Sequence, residues 1–161
     1  MVDSDAVPLR SLALVAVAVV AVATAACRSE ADRLRDEFKV RLKTTAPLSP
    51  GELARLMDEA NRAMEGRKMR FVSNGVSHEP NEQERAAVLT VLHGQGSVED
   101  GGVRDGHGVT LRGVSGPATP VNSELEAIAT VWVDIDTFLP RRYEFSYGPS
   151  GSGDYAFDIS W

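Results

Sequence analysis

The residue types that most often perform chemistry are few in this chain and widely spaced. The three histidines, His78, His93 and His107, fall in separate loops or element ends, whereas a metal ion such as Zn²⁺ needs three or four converging ligands. Asp134 and Asp136 lie two residues apart, and alone they offer too few oxygens for Ca²⁺. We therefore expect neither a bound metal ion nor a cofactor.

The motifs of common enzymes are equally incomplete. Residues 113–116 contain one serine but lack the Gly-x-Ser-x-Gly spacing of a nucleophile elbow. The glycine-rich residues 148–153 lack the lysine and the following helix of a phosphate loop, and they read as a hairpin turn. Because no nucleophile stands beside a recognisable base, we predict that the protein is not an enzyme.

Cys27 is the single cysteine of the chain, so an internal disulfide and a multi-cysteine metal site are both excluded. The residues before it are informative. Arg10 precedes an apolar run over residues 11–23, and the small residues 24–26 follow. A positive residue, an apolar run and a small-residue cleavage site are typical of a secretory signal. The run is shorter than the roughly 20 apolar residues that a transmembrane helix needs. We therefore predict a signal for export rather than a transmembrane helix.

Ala25-Ala26-Cys27 resembles the lipobox of bacterial lipoproteins, although Thr24 stands where that family usually has a large aliphatic residue. The resemblance implies that the signal is cut before Cys27 and that a diacylglycerol is attached to its thiol. We therefore expect an extracytoplasmic protein, anchored to a bacterial membrane by lipid. A plain secretory signal and an uncleaved membrane anchor are the alternatives, and both also keep the rest of the chain outside the cytoplasm.

Length and charge limit the remaining possibilities. The chain has 161 residues with 17 basic and 23 acidic side chains, a net charge of -6. An acidic chain without a basic stripe is a poor nucleic-acid binder, because such binding depends on neutralising phosphates. We expect no nucleic-acid partner. We divide the sequence into a signal (residues 1–26), a tether (27–37) and a single domain (38–161).

The first half of the domain contains one clear helix. Ser49, Pro50 and Glu52 form a helix-start pattern, and Gly66 marks its end. Its apolar face comprises Leu53, Leu56, Met57, Ala60 and Met64, at helical spacing. Before this helix, residues 28–37 could form a helical turn or only a tether, and residues 38–43 alternate apolar with basic residues, which predicts a strand.

The middle of the chain is less regular. We predict a strand over residues 69–73, a loop over 77–82, and a helix from Asn81 to about His93, for which a strand is the alternative. Short strands are expected around Val98 and over residues 109–114, within a stretch rich in glycine. Residues 117–125 are expected to be irregular.

The last third predicts three strands. Residues 128–135, 141–147 and 155–161 are rich in β-branched and aromatic side chains and are joined by short turns, which is typical of an antiparallel meander. Tyr143 and Phe145 fall on one face of their strand, as do Phe157 and Trp161 on theirs. The predicted fold is α+β, with an antiparallel, half-barrel-like sheet that ends in this meander and is covered by one or two helices.

Residues 131–141, VWVDIDTFLPR, resemble a recurrent element of LolA-like and LppX/LprG-like bacterial envelope lipoproteins. In that family a strand ending in Trp-Ile/Val-Asp is followed by a Thr-Gly-Leu-Pro turn and a second strand. Phe138 replaces the usual glycine here. The resemblance covers roughly the last 60 residues and implies a half-barrel that holds acyl chains or lipidated cargo between its sheet and helices.

The resemblance also implies which residues would line such a space. They are Leu56, Met57, Ala60 and Met64 from the helix, with Trp132, Tyr143, Phe145, Phe157 and Trp161 from the sheet. We thus expect a non-enzymatic, membrane-anchored lipoprotein that binds or transfers a lipid or acyl chain. The alternative is a small accessory domain with a solid core that binds another envelope protein.

Overall fold

The computed structural model describes residues 29–106, 108–118, 127–147 and 155–161. Cys27, His107 and the predicted features over residues 119–126 and 148–154 lie outside the described residues. The described helices are Glu30–Leu42 (α1), Pro50–Met64 (α2) and Glu82–Leu92 (α3). The described strands are Arg70–Ser73 (β1), Val76–His78 (β2), Glu99–Gly106 (β3), Val109–Ala118 (β4), Ala127–Asp134 (β5), Pro140–Tyr147 (β6) and Tyr155–Ser160 (β7). The chain divides into two compact units after Phe38, and the sheet belongs to the second.

Capping boxes begin both α2 and α3. The Ser49 hydroxyl accepts the Glu52 backbone N–H at 3.3 Å, and the Glu52 carboxylate accepts the Ser49 N–H at 2.7 Å. Asn81 and Glu84 repeat this arrangement at 2.8 and 2.9 Å. Each box satisfies backbone donors that the first helical turn leaves unpaired. It explains why residues 82–92 form a helix in spite of their β-branched side chains.

The strand predicted over residues 38–43 is wrong, because residues 38–42 are the end of α1 and Lys43 lies in the turn that follows. In a strand Val40 and Leu42 would share one face, yet Val40 is 68% exposed and Leu42 is fully buried. Acidic residues in the first turn and basic residues in the last turn also suit the helix dipole. A six-residue alternation was too short to distinguish the two structures.

The sheet has seven antiparallel strands in the order β2-β1-β7-β6-β5-β4-β3. The predicted α+β class is confirmed, and β5, β6 and β7 form the predicted meander. Val76–His78 is a strand where a loop was expected. Asn74 and Gly75 have φ values of 51° and 77°, which two-residue hairpins require and which Asn-Gly adopts readily. Strands β3 and β4 are longer than expected, at 8 and 10 residues, so residues 117–118 are strand rather than irregular.

Cross-strand register divides the side chains between two faces, because directly opposed residues of antiparallel strands point the same way. The apolar face carries Phe71, Val114, Ala129, Val131, Tyr143, Phe145, Tyr155, Phe157 and Ile159. The polar face carries Arg104, Gly113, Ile128, Thr130, Trp132, Arg142, Glu144 and Asp158.

Helices α2 and α3 contact mainly β3, β4 and β5. On these strands Val114 and Val131 of the apolar face are fully buried, whereas Ile128 of the polar face is 64% exposed. The two helices therefore cover the apolar face on this half of the sheet. Leu56 and Ala60 of α2 are also fully buried, so the layer between α2 and the sheet is filled by side chains.

Candidate functional site

Five rings lie together on the apolar face of β1, β6 and β7, and we call them the aromatic surface. Its members are Phe71, Tyr143, Phe145, Tyr155 and Phe157. Phe71 stacks on Phe157 with 5.5 Å between ring centroids, and Phe145 stacks on Tyr155 at 5.3 Å. Tyr143 lies 6.1 Å from Phe145. These separations are those of favourable aromatic pairs.

The aromatic surface passes from buried to exposed along the sheet. Phe71 and Tyr143 are 1% and 5% exposed, while Tyr155 is 53% exposed. Phe145 and Phe157 are partly exposed. The charged residues Arg142, Glu144 and Asp158 point to the opposite face. At the β2 edge, His78 pairs with Phe71 and lies 3.5 Å from the Glu84 carboxylate. The exposed parts of Phe145, Tyr155 and Phe157 can bind an apolar molecule by excluding water from both surfaces.

The structure brings together three of the nine residues expected to line a cavity, namely Tyr143, Phe145 and Phe157. Leu56 and Ala60 lie on the buried side of α2, whereas Met57 and Met64 of the same helix are partly exposed. Trp161 donates its indole N–H to the Pro140 carbonyl at 2.7 Å. These contacts separate the nine residues into different environments.

The expectation that Trp132 shares a surface with Tyr143 is wrong. Trp132 pairs with Arg142, whereas its neighbour Val131 pairs with Tyr143, so the indole lies on the polar face. Alternation along a strand assigns side chains to two sides but does not say which side of the next strand matches. That register is set by pairing between strands, which a single sequence does not reveal.

The polar face carries a row of ion pairs around Glu144. Its carboxylate accepts hydrogen bonds from Arg104 at 3.0 Å, Arg142 at 2.7 Å and the Trp132 indole at 2.7 Å. Arg142 also donates to Asp158 at 2.8 Å. Burial alone would raise the pKa of Glu144, but these three donors hold it below its ordinary value. The row is internally satisfied, which favours a structural role.

Arg112 is a charged residue inside the core, and sequence reasoning missed it. Its side chain is fully buried and forms an ion pair with Asp100. It also donates to the backbone carbonyls of Leu42, Thr44 and Ala46. The arginine therefore fixes the loop between α1 and α2 against β4. The only available signal was an arginine between apolar residues of a strand.

Asp134 organises the turn between β5 and β6. Its carboxylate accepts the Asp136 N–H at 2.9 Å and the Thr137 hydroxyl at 2.7 Å. Burial would raise the pKa of Asp134, yet these bonds keep it lower than usual. Phe138 has a φ of 59°, a conformation that favours glycine, and its ring is fully buried. Burial of the ring offsets the strained backbone.

The described residues were compared with the requirements of a metal site and of a membrane-spanning helix. Its residues contain no group of three or more His, Cys, Asp or Glu side chains placed to hold a metal ion. None of α1, α2 and α3 has the length and hydropathy needed to cross a bilayer.

The chain matches no protein-family model, and neither a curated protein nor a solved structure shows significant similarity to it.

Acid is expected to destabilise the domain. The pKa values of Asp100, Asp134 and Glu144 are lowered by their donors, and that of Glu52 falls to about 2 in its capping box. A carboxyl whose folded pKa lies below its unfolded value stabilises the fold above the unfolded pKa, and this contribution is lost as pH falls through the folded pKa. We predict a thermal midpoint that is nearly constant from about pH 7 to 5 and falls steadily below about pH 4.

Circular dichroism melts across that range would check this prediction. Glu144→Gln should flatten the acid limb, because one titrating group is removed. An unchanged midpoint at about pH 3 would contradict the assigned pKa directions.

Proposed function

We propose that this chain is a non-enzymatic envelope lipoprotein, tethered through Cys27, that binds an acyl chain on its aromatic surface. The observation that carries the proposal is the set of stacked rings on the apolar sheet face, of which Phe145, Tyr155 and Phe157 are exposed at least in part. The exported signal and the LolA-like hairpin motif supply the cellular context. The ligand position differs from a cavity beneath α2, because Leu56 and Ala60 fill that layer.

An acyl chain suits this surface better than a polar ligand. Phe145 and Tyr155 stack at 5.3 Å, and the Phe71–Phe157 pair continues the surface across β7 and β1. A flexible hydrocarbon can follow such a row and gain affinity in proportion to the apolar area removed from water. The charged residues Arg142, Glu144 and Asp158 of the same strands point to the opposite face. An acyl chain on the rings would therefore not desolvate them, which keeps the cost that opposes binding small.

Tyr155→Ala should weaken binding of a fluorescent fatty acid by residues 28–161 roughly 5- to 30-fold, since losing one ring contact removes about 1–2 kcal/mol. Tyr155 is 53% exposed, so its removal should leave the fold intact, which far-UV circular dichroism would verify. Ile128→Ala is the matched control, because Ile128 is 64% exposed on the polar face. Equal affinities of the two variants, or no uptake by the unmodified fragment, would reject the acyl-binding role.

Cys27→Ala should release the protein from the membrane fraction and abolish labelling by a radioactive fatty acid. The physical reason is that stable anchoring requires two or more acyl chains, and Cys27 offers the only thiol to carry them. Fractionation of cells expressing either form would measure the shift. Continued membrane retention of the unlabelled variant would point to an uncleaved N-terminal anchor instead.

A protein-binding accessory domain is the second candidate. The specific observation that favours it is the filled layer between the helices and the sheet, where Leu56, Ala60 and Val131 are all fully buried. Aromatic side chains are also enriched in protein interfaces. Native mass spectrometry of residues 28–161 would separate the two functions: co-purified lipid favours acyl binding. Crosslinking of one protein partner, lost in Tyr155→Ala, favours the accessory role.

A further inference from the structure

A half-open pocket of about 320 Å³ is formed by residues of the sheet, and none of the five rings of the aromatic surface lines it. Its walls are apolar at Val72, Val109 and Ile159 and polar at Arg141, Asp158 and Ser160. These residues come from β1, β4, β6 and β7. Pockets that bind small molecules occupy about 300–1,000 Å³, so this one suits a ligand of few heavy atoms.

The sheet must curve to form this pocket. Val72 of β1 and Val109 of β4 line it together, yet β7, β6 and β5 separate their strands. In a flat sheet four strand spacings would place them roughly 19 Å apart, too far for one pocket of this volume. The strands therefore converge at the pocket, which is formed by the curvature of the sheet.

Arg141 presents a positive charge that is only weakly held. Its guanidinium reaches Asp134 at 3.3 and 3.4 Å, at the outer limit of a hydrogen bond. The Asp134 carboxylate is already bonded at 2.7 and 2.9 Å within the β5–β6 turn. Arg141 Nη1 makes no hydrogen bond to the described residues, and the same is true of the Ser160 hydroxyl. Asp158 is paired with Arg142 at 2.8 Å, which reduces its repulsion of an anion.

We propose that this pocket binds a small organic carboxylate with a short apolar tail. Arg141 and the Ser160 hydroxyl donate to the carboxylate, and the tail packs against Val72, Val109 and Ile159. A guanidinium provides charge-assisted and often bidentate hydrogen bonds to a carboxylate. Burial of an apolar tail against the valine and isoleucine side chains adds favourable free energy of binding. This site is independent of acyl binding on the aromatic surface.

Isothermal titration calorimetry of the intact chain in nanodiscs would test the site, with 3-methylbutanoate as the probe and 3-methylbutanamide as its uncharged counterpart. We expect the amide to bind at least tenfold more weakly than the acid. Arg141→Gln should weaken binding of the acid at least tenfold. Arg62→Gln removes the same charge from a side chain that is 67% exposed on α2, and it should change nothing.

Two further variants keep the result interpretable. Arg141→Lys retains the charge beside Asp134 and should keep part of the affinity, whereas Tyr155→Ala should leave it unchanged. Equal binding of acid and amide, equal effects of Arg141→Gln and Arg62→Gln, or no binding at millimolar acid would each overturn the proposal. Loss of acid binding in Tyr155→Ala would also overturn it, since the two sites would then not be independent.

Discussion

Replacing Arg112 with alanine is expected to lower the free energy of unfolding by about 3–5 kcal/mol, the range observed when one partner of a buried ion pair is removed. Arg112 is fully buried. Its loss would leave the Asp100 carboxylate without its counter-charge and three backbone carbonyls without their donor. Each buried acceptor that loses its partner carries a desolvation penalty, so the effect should exceed that of an ordinary arginine truncation.

Urea unfolding followed by circular dichroism would measure the change. Arg62→Ala is the control, because Arg62 is 67% exposed and its pair with Glu59 spans 3.7 Å; its cost should stay within about 0.5 kcal/mol. The double variant Arg112→Ala with Asp100→Ala should be less destabilised than the sum of the two single variants, because no uncompensated charge remains. A cost below about 1 kcal/mol for Arg112→Ala would contradict its burial as an ion pair.

The position of Arg112 also couples the loop before α2 to the sheet. Asp100 accepts the Leu48 backbone N–H at 3.0 Å, while Arg112 binds the Ala46 carbonyl at 2.9 Å. The residues just before the N-terminus of α2 are thus held from both β3 and β4. Stabilising this loop positions Leu56 and Ala60 over the apolar face, so the ion pair contributes to the filled layer beneath α2.

The sequence predicted those parts of the fold in which local signals agree with the tertiary structure. Ser49, Pro50 and Glu52 gave the start of α2 because capping is a short-range interaction. Strands β5, β6 and β7 were found because β-branched and aromatic residues alternate between turns. Both signals depend on neighbours within a few residues, which a single chain displays directly.

The failures concern interactions between residues far apart in the chain. Asp100 and Arg112 sit in a glycine-rich stretch whose composition suggested turns, and their pairing appears only once β3 lies beside β4. The aromatic surface was predicted in part, since Tyr143 and Phe145 alternate on one strand. Which residues of β5 and β7 join them depends on register, and this is why Trp132 was assigned to the wrong face.

Trp132→Ala is expected to destabilise the domain by about 3–5 kcal/mol, as for other buried tryptophans. Trp132 is 8% exposed although it lies on the polar face. The Arg104 guanidinium covers its ring at 3.7 Å from the centroid, and a Cβ added to Gly113 would lie 3.1 Å from the indole. The Trp132 indole thus fills the space next to Gly113 on β4, and Trp132→Ala would leave that space empty.

The control for Trp132 is Ile128→Ala, on the same strand and face but 64% exposed, for which we expect less than about 0.5 kcal/mol. Guanidinium unfolding monitored by circular dichroism would measure both variants. A loss below about 1 kcal/mol in Trp132→Ala would show that the indole is not packed between Arg104 and Gly113.

Trp132→Phe separates packing from hydrogen bonding at this position. Phenylalanine retains much of the contact with Gly113 and Arg104 but loses the indole N–H that Glu144 accepts at 2.7 Å. Since a hydrogen bond to a charged group contributes about 1.5–3 kcal/mol, the cost should fall between those of the control and of Trp132→Ala. If Glu144→Gln makes Trp132→Phe less costly, the carboxylate and the indole act as one unit. Such coupling would show that the ion pairs around Glu144 and the packing of Trp132 stabilise the sheet together rather than separately.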